Sequence, residues 1–182
     1  GCGRGGGLSY VHRYLRPSST TGVDLNPEAI AFCGQTYPGI DFHEMDAQNL
    51  TFDDESFDAV LNVESSHRYP DFGRFCREVH RVLRPGGHLL FTDFRYAQML
   101  DPMMRELAAA GLTTVRSQVI NEEVTAALRE DAERRVNLIR RYIPRALHGA
   151  ALEFAGAPGT RLYRSLEREK RVYVSMALQK RR

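Results

Sequence analysis

FDAVLNVESSHRYPDFGRFCREVHRVLRPGGHLLFTDF, residues Phe57–Phe94, decides the fold. FDAVLNV (Phe57–Val63) is a nearly continuous apolar run, as a strand buried on both faces requires. DFGRFCREVHRVL (Asp71–Leu83) puts Phe72, Phe75, Val79 and Val82 on one helical stripe. RPGG (Arg84–Gly87) reads as a turn, and HLLFTDF (His88–Phe94) as a second apolar strand. Strand, helix and strand in this order make a βαβ unit, whose two strands run parallel.

The alternation continues in both directions. Upstream, LSYVHRYLR (Leu8–Arg16) has Leu8, Val11 and Leu15 at helical spacing, and TTGVDL (Thr20–Leu25) reads as a short strand. Asn26 is an N-cap and Pro27 suits the first position of a helix reaching about Tyr37, which Pro38-Gly39 ends. IDFHEM (Ile40–Met45) alternates like a strand. Downstream, a helix from about Met99 to Ala110 stops at Gly111, and TTVRSQVI (Thr113–Ile120) is a strand. The fold expected is therefore α/β: a doubly wound, mostly parallel sheet covered on both faces.

The pattern then changes. Asn121 to about Ile143 reads as one long charged helix with Val124, Leu128, Val136, Ile139 and Ile143 as its apolar stripe. RVYVSMALQ (Arg171–Gln179) alternates Val172, Val174, Met176 and Leu178 with polar neighbours, which predicts a last strand antiparallel to the one at Thr113. Residues 121–169 thus form a helical insertion within a single domain, placed where such segments cover a substrate pocket.

Composition narrows the class. The 182 residues are 42% hydrophobic and 26% charged, which is ordinary globular usage. A net charge of +2 is too small to imply a nucleic-acid partner, although arginines cluster in RRVNLIRRYIPR (Arg134–Arg145). Cys2, Cys33 and Cys76 have no metal-ligand spacing, so no metal is expected and a reducing, cytoplasmic location is. No apolar run approaches the ~20 residues of a membrane span. Peripheral contact with a membrane stays compatible with the sequence, and the oligomeric state is open.

GCGRGGG (Gly1–Gly7) satisfies both GxGxxG and GxGxG. Glycines there let the backbone approach a ligand at the N-terminus of the helix that follows. Taken alone, the match also describes a flexible tail, because no strand aims it. Asp24 follows nineteen residues after Gly5, at the end of a strand, where an acid accepts hydrogen bonds from both ribose hydroxyls. That suits a nicotinamide dinucleotide or another adenosine cofactor equally. Asp46 ends the next strand.

GCGRGGG, VDLN, DAQNLTFDDESFDAVLNVES and VLRPGGHLLFTD, in this order, resemble the class I S-adenosylmethionine (SAM)-dependent methyltransferases. ESSHRYPDFGRFCREVHRVLRPGG resembles in particular the phthiotriol/phenolphthiotriol dimycocerosate group, which methylates hydroxyls of long-chain lipids and glycolipids. The resemblance implies that Gly1, Gly3 and Gly5 flank the methionine moiety of SAM and that Asp24 binds its ribose. It implies further that Leu25 lies beside the adenine, that Asp46 and Ala47 meet the adenine edge, and that Asn62–Glu64 face the methionyl end and the acceptor. The family pattern has a strand and an acid before its first glycine. Neither precedes Gly1, so an N-terminally truncated domain is expected.

A hydroxyl acceptor needs a base, since its proton must leave. An imidazole is the side chain best suited to that task, and His67 follows the strand Phe57–Val63, which makes it the first choice. Asp93, at the end of the strand His88–Phe94, can orient His67 or hold the acceptor, and Glu64 is a third choice. The same three side chains could alternatively hold a divalent cation. Two other functions compete with a methyltransferase: a nicotinamide oxidoreductase, disfavoured because no Tyr-x-x-x-Lys set appears, and a catalytically inactive binding module of the same fold.

Overall fold

A computed structural model describes residues 1–181. In chain order the elements are α1 (Gly6–Leu15), β1 (Thr21–Asp24), α2 (Pro27–Thr36), β2 (Asp41–Glu44), β3 (Phe57–Val63), α3 (Phe72–Val82) and β4 (Leu83–Tyr96). There follow α4 (Leu100–Ala109), β5 (Leu112–Val119), α5 (Asn121–Glu130), α6 (Ala132–Tyr142), α7 (His148–Phe154), α8 (Arg161–Glu167) and β6 (Arg171–Lys180).

Local chemistry sets most of these boundaries. The Asn26 side chain accepts hydrogen bonds from the N–H groups of Glu28 and Ala29, with Pro27 opening α2. The Asp71 carboxylate accepts from Arg74 N–H and caps α3. Gly111, at φ +84°, turns the chain out of α4 into β5.

β1 and β2 pair in parallel, and the remaining strands form a second sheet in the order β3-β4-β6-β5. β3 and β4 are parallel, whereas β6 runs antiparallel to both β4 and β5. The last strand is thus inserted between its two predecessors. α3 and α4 pack on one face, where Leu89 and Phe91 of β4 meet Val174, Met176 and Leu178 of β6 and Phe75, Val79, Met103 and Leu107 of the helices. Burying each such side chain contributes roughly 1.5–3 kcal/mol.

Three expectations need correction. β3 is not buried on both faces: Val60 and Asn62 turn toward the helices, but Leu61 and Val63 are 42% and 59% exposed, and Leu90 beside them is 43% exposed. Only the face under α3 and α4 is closed over these residues. RPGG is no free turn. Phe57 pairs with Leu83 and Ala59 with His88, so Arg84–Gly87 loop out of β4 opposite Asp58, whose carboxylate accepts from Arg84 at 2.7 Å.

The long helix of 121–143 breaks at Asp131. Its N–H closes α5 on Ala127 O and its carbonyl accepts the first bond of α6 from Arg135 N–H, while its carboxylate accepts from the Arg134 and Arg135 side chains at 2.6 and 2.8 Å. Val124, Leu128, Val136 and Ile139 are half-buried as the stripe required, but Ile143 lies past the end of α6 and is exposed. The buried residues of α5 are polar: Asn121 donates to Leu166 O and Arg171 O and accepts from Tyr173 N–H, each within 2.8 Å. One amide thereby joins α5, α8 and β6.

Candidate functional site

The glycine stretch is an ordered loop. Gly5 adopts φ +74°, and a Cβ on it would lie 2.9 Å from both Cys33 Sγ and the Tyr37 ring, so only glycine fits. Cys2 N–H donates to Val23 O at 2.8 Å, and Gly3 N–H donates to the Asp24 carboxylate at 2.7 Å. The other Asp24 oxygen accepts from Asn26 N–H at 3.0 Å. Asp24 therefore ties the loop to the end of β1. Two bonds leave about half of a carboxylate's four acceptor directions free. Leu25 beside it is exposed.

Asp46 follows β2 and turns onto its own chain, accepting from Gln48 N–H at 2.8 Å and from the Gln48 amide. Those bonds hold its carboxyl below the ordinary carboxylate range. Gln48 in turn accepts from Asp71 N–H at 2.7 Å, which couples this corner to the start of α3. Ala47 is buried and joins the core. Sequence reading missed Gln48, since nothing local marks a glutamine whose partner is 23 residues away.

Asn62, at the end of β3, is buried, and its amide donates to Ser65 Oγ at 3.0 Å and Tyr69 Oη at 3.2 Å. Its Oδ1 is buried without a hydrogen-bond partner among the described residues. A Cβ on Gly1 would lie 2.7 Å from Ser65 Cβ, so the glycine loop rests against this cluster. An unpaired buried acceptor is costly unless a donor reaches it.

The next residues carry the titratable centre. Asp93 is fully buried in β4. One oxygen accepts from Ser66 Oγ at 2.7 Å and His67 N–H at 2.9 Å, and Arg95 stands 3.2 Å away. The other oxygen receives His67 Nδ1 at 2.8 Å and Phe94 N–H at 2.9 Å. Burial alone pushes this carboxyl up, but the bonds from Ser66, the Arg95 guanidinium and His67 outweigh it and hold it below the usual range. With Nδ1 used by Asp93, the imidazole is left with Nε2 for a ligand. The ring is 21% exposed and stacks on Phe94 with centroids 4.5 Å apart. Arg95 also donates to Ser66 Oγ at 2.7 Å.

Glu64 is set apart from this pair. It sits at φ +50°, donates its N–H to Thr92 O, and its carboxylate accepts from Tyr173 Oη. Burial first, then the neighbouring Glu64, push the Tyr173 hydroxyl well above its ordinary range. The rings of His67, Phe94 and Tyr173 run in series, Phe94 to Tyr173 being 6.0 Å. Tyr173 and Arg95 were not foreseen, because their roles depend on which strands β4 pairs with. Among the described residues no group of three His, Cys, Asp or Glu side chains is arranged to hold a metal ion. Burial pushes the thiols of Cys2 and Cys76 up, to about 11 and about 12, so neither supplies a thiolate at neutral pH.

The structure thus joins His67 to Asp93, Gly3 to Asp24 and Gly1 to the Asn62 cluster. A single loop links them: Ser65 meets the glycine loop, and Ser66 and His67 meet Asp93. The arrangement offers a histidine base oriented by a buried carboxylate, next to a glycine loop anchored by an acid.

Comparison with known proteins gives the family and the fold. The family model described as "Methyltransferase domain" matches residues 1–91. A phthiotriol/phenolphthiotriol dimycocerosates methyltransferase of Mycobacterium leprae is 45% identical over 168 residues, covering 91% of this chain and 62% of that protein. A fatty-acid O-methyltransferase of Mycolicibacterium smegmatis is 41% identical over 175 residues, covering 95% and 63%. The chain therefore spans a little over three-fifths of the length of these relatives. Among solved structures, the cyclase SpnF superposes with TM-score 0.75 at 22% identity, over 100% of this chain and 73% of that one. Geranyl diphosphate C-methyltransferase from Streptomyces coelicolor, solved with S-adenosyl-L-homocysteine, superposes with TM-score 0.73 at 18% identity, over 99% and 68%. These structural likenesses share the fold, which hosts more than one chemistry.

Proposed function

Because the chain belongs to the methyltransferase-domain family, we propose that it carries the cofactor and proton-transfer residues of a SAM-dependent O-methyltransferase acting on a lipid hydroxyl. SAM supplies an electrophilic methyl group on a sulfonium. The residues that hold it are Gly1, Gly3 and Gly5 along the methionyl part, Asp24 at the ribose, Leu25, Asp46 and Ala47 around the adenine, and Asn62. Three observations support the fit. Gly5 keeps the loop free of a Cβ, Asp24 retains acceptor capacity, and Asn62 Oδ1 is a buried acceptor awaiting a donor.

His67 takes the acceptor's proton at Nε2, and Asp93 fixes the ring through Nδ1 and stabilises the imidazolium that forms. Glu64 and Tyr173 shape the acceptor side. The observation that carries this reading is the 2.8 Å His67–Asp93 bond beside the Asp24-anchored loop. It also favours one acceptor class. The named relatives act on phthiotriols and on fatty acids. A fatty carboxyl is already ionised at neutral pH and needs no base, whereas a hydroxyl keeps its proton. The oriented histidine fits the hydroxyl. Residues 121–169 are proposed to close over the acceptor chain.

Calorimetry with SAM and single-turnover methyl transfer to long-chain diols test the proposal. Asp24→Ala weakens SAM binding about tenfold or more, since it removes charge-assisted hydrogen bonds. His67→Ala cuts transfer about 100-fold or more with SAM affinity retained. Equal transfer to fatty acids by His67→Ala and the parent chain would move the acceptor from hydroxyl to carboxyl.

A further inference from the structure

Within the helical segment, the bend from Arg140 to Leu147 presents an exposed surface to which the methyl-transfer reading gives no role. From Arg134 to Leu152 the chain has five arginines, one histidine and no acidic residue. Arg134 and Arg135 are matched by Asp131. Arg140, Arg141 and Arg145 have no carboxylate partner among the described residues. Between α6 and α7 every residue from Arg140 to Leu147 is exposed. That run includes Tyr142 at 66%, Leu147 at 54% and Ile143 at 37%. Leu138, exposed as well, lies one turn before Tyr142 on the same helix face.

The bend that shows these side chains is built rather than frayed. Ile143 N–H closes α6 on Ile139 O at 2.9 Å, Leu147 N–H donates to Pro144 O at 2.9 Å, and His148 Nε2 donates to Ile143 O at 2.8 Å. Arg135 donates to Ala155 O at 2.6 Å and locks α6 against the end of α7. Apolar side chains held out into water beside unpaired guanidinium groups are costly for a solvated helix hairpin. A surface with anionic headgroups above an apolar layer accepts both.

We propose that Arg140–Leu147 is an interfacial docking edge for an anionic lipid surface. Arg140, Arg141 and Arg145 pair with lipid phosphates, and Tyr142, Ile143 and Leu147 enter the boundary between headgroups and acyl chains. Charge complementarity selects this partner over neutral lipid. The exposed aliphatic residues select it over nucleic acid, whose phosphate backbone gives them nothing to bury against. The docking edge does not depend on the methyl-transfer chemistry, though it places a lipid-modifying site at its acceptor's source.

The test is flotation of the full chain with phosphatidylcholine vesicles, with and without phosphatidylglycerol. Binding is expected only with phosphatidylglycerol and weakens as salt rises. The combined change Arg140→Glu, Arg141→Glu, Arg145→Glu lowers it about a hundredfold, near fivefold per arginine neutralised. The three Arg→Lys changes retain most of it. Tyr142→Ser with Ile143→Ser lowers it about tenfold. Circular dichroism and SAM affinity, measured on the same samples, stay at parental values, so failure to dock and failure to bind cofactor are told apart. Equal binding to pure phosphatidylcholine, or vesicle binding that the glutamates leave unchanged, overturns the proposal. So does retention of duplex DNA without vesicle binding, or a glutamate-sensitive dimer seen by light scattering.

Discussion

Asp93 and Asp131 are two aspartates with similar partners and opposite surroundings. Each is paired with arginine and accepts several hydrogen bonds, and each carboxyl is held below its usual range. Asp93 lies buried in β4 among Ser66 and His67 of the loop after β3 and its own neighbours Phe94 and Arg95. Asp131 lies at a helix junction and binds Arg134 and Arg135 of the next turn. In water such a pair is screened and contributes little. In the interior, losing one member strands the others. The site end of the sheet is therefore brittle, and the helical segment tolerant.

Asp93→Ala has the largest expected effect. It leaves Arg95 and Ser66 buried without their acceptor and costs about 3–5 kcal/mol of stability, read by urea unfolding. Asp93→Asn separates the roles: the fold survives with a smaller loss, but transfer falls because the amide cannot stabilise the His67 imidazolium.

Gly5→Ala comes next. A methyl group at φ +74° and 2.9 Å from Cys33 and Tyr37 costs about 1–3 kcal/mol and weakens SAM binding more than overall stability. Unchanged affinity would remove the loop from the cofactor site. A third effect is pH-dependent. Asp46, Asp93 and Glu78, an α3 residue whose carboxylate accepts from the Arg81 side chain, all have lowered pKa values in the fold. The unfolded chain therefore takes up protons first as pH falls, so their contribution is complete above pH ~5 and is lost below pH ~4. Asp93→Asn flattens that acid limb, while Asp131→Ala barely alters it. The smallest effect is that of Asp131→Ala on thermal melting, which stays near the parent value while helicity drops slightly at the α5–α6 break. A large drop would show that the junction holds the domain together.

Much of this was legible beforehand where the responsible contact is local. Asn26, Asp71 and Gly111 act within four residues of their own positions and announce their helix ends directly. The glycine loop and Asp24 were read from spacing, and His67 with Asp93 from their places after successive strands. The failures are equally specific. The helix break at Asp131 was missed because its aspartate makes no side-chain cap and looks like any other charged residue in a helical stripe. For Glu64, the third candidate base, it was the hydrogen-bond partner Tyr173, 109 residues away, that was not foreseen.

Composition, periodicity and capping residues by themselves determined the order of strands and helices as far as β5, the glycine loop and the residues at the strand ends. They act over a turn or a pleat, so their signals survive in a linear string. Tertiary structure alone decided that β6 enters between β4 and β5. That insertion brings Tyr173 beside Phe94, places Lys180 Nζ 2.8 Å from Leu83 O, and leaves the Arg140–Leu147 bend facing outward. Strand order is a choice among non-local pairings, each closing a long loop, and is settled by the packing of the whole chain rather than by any one segment.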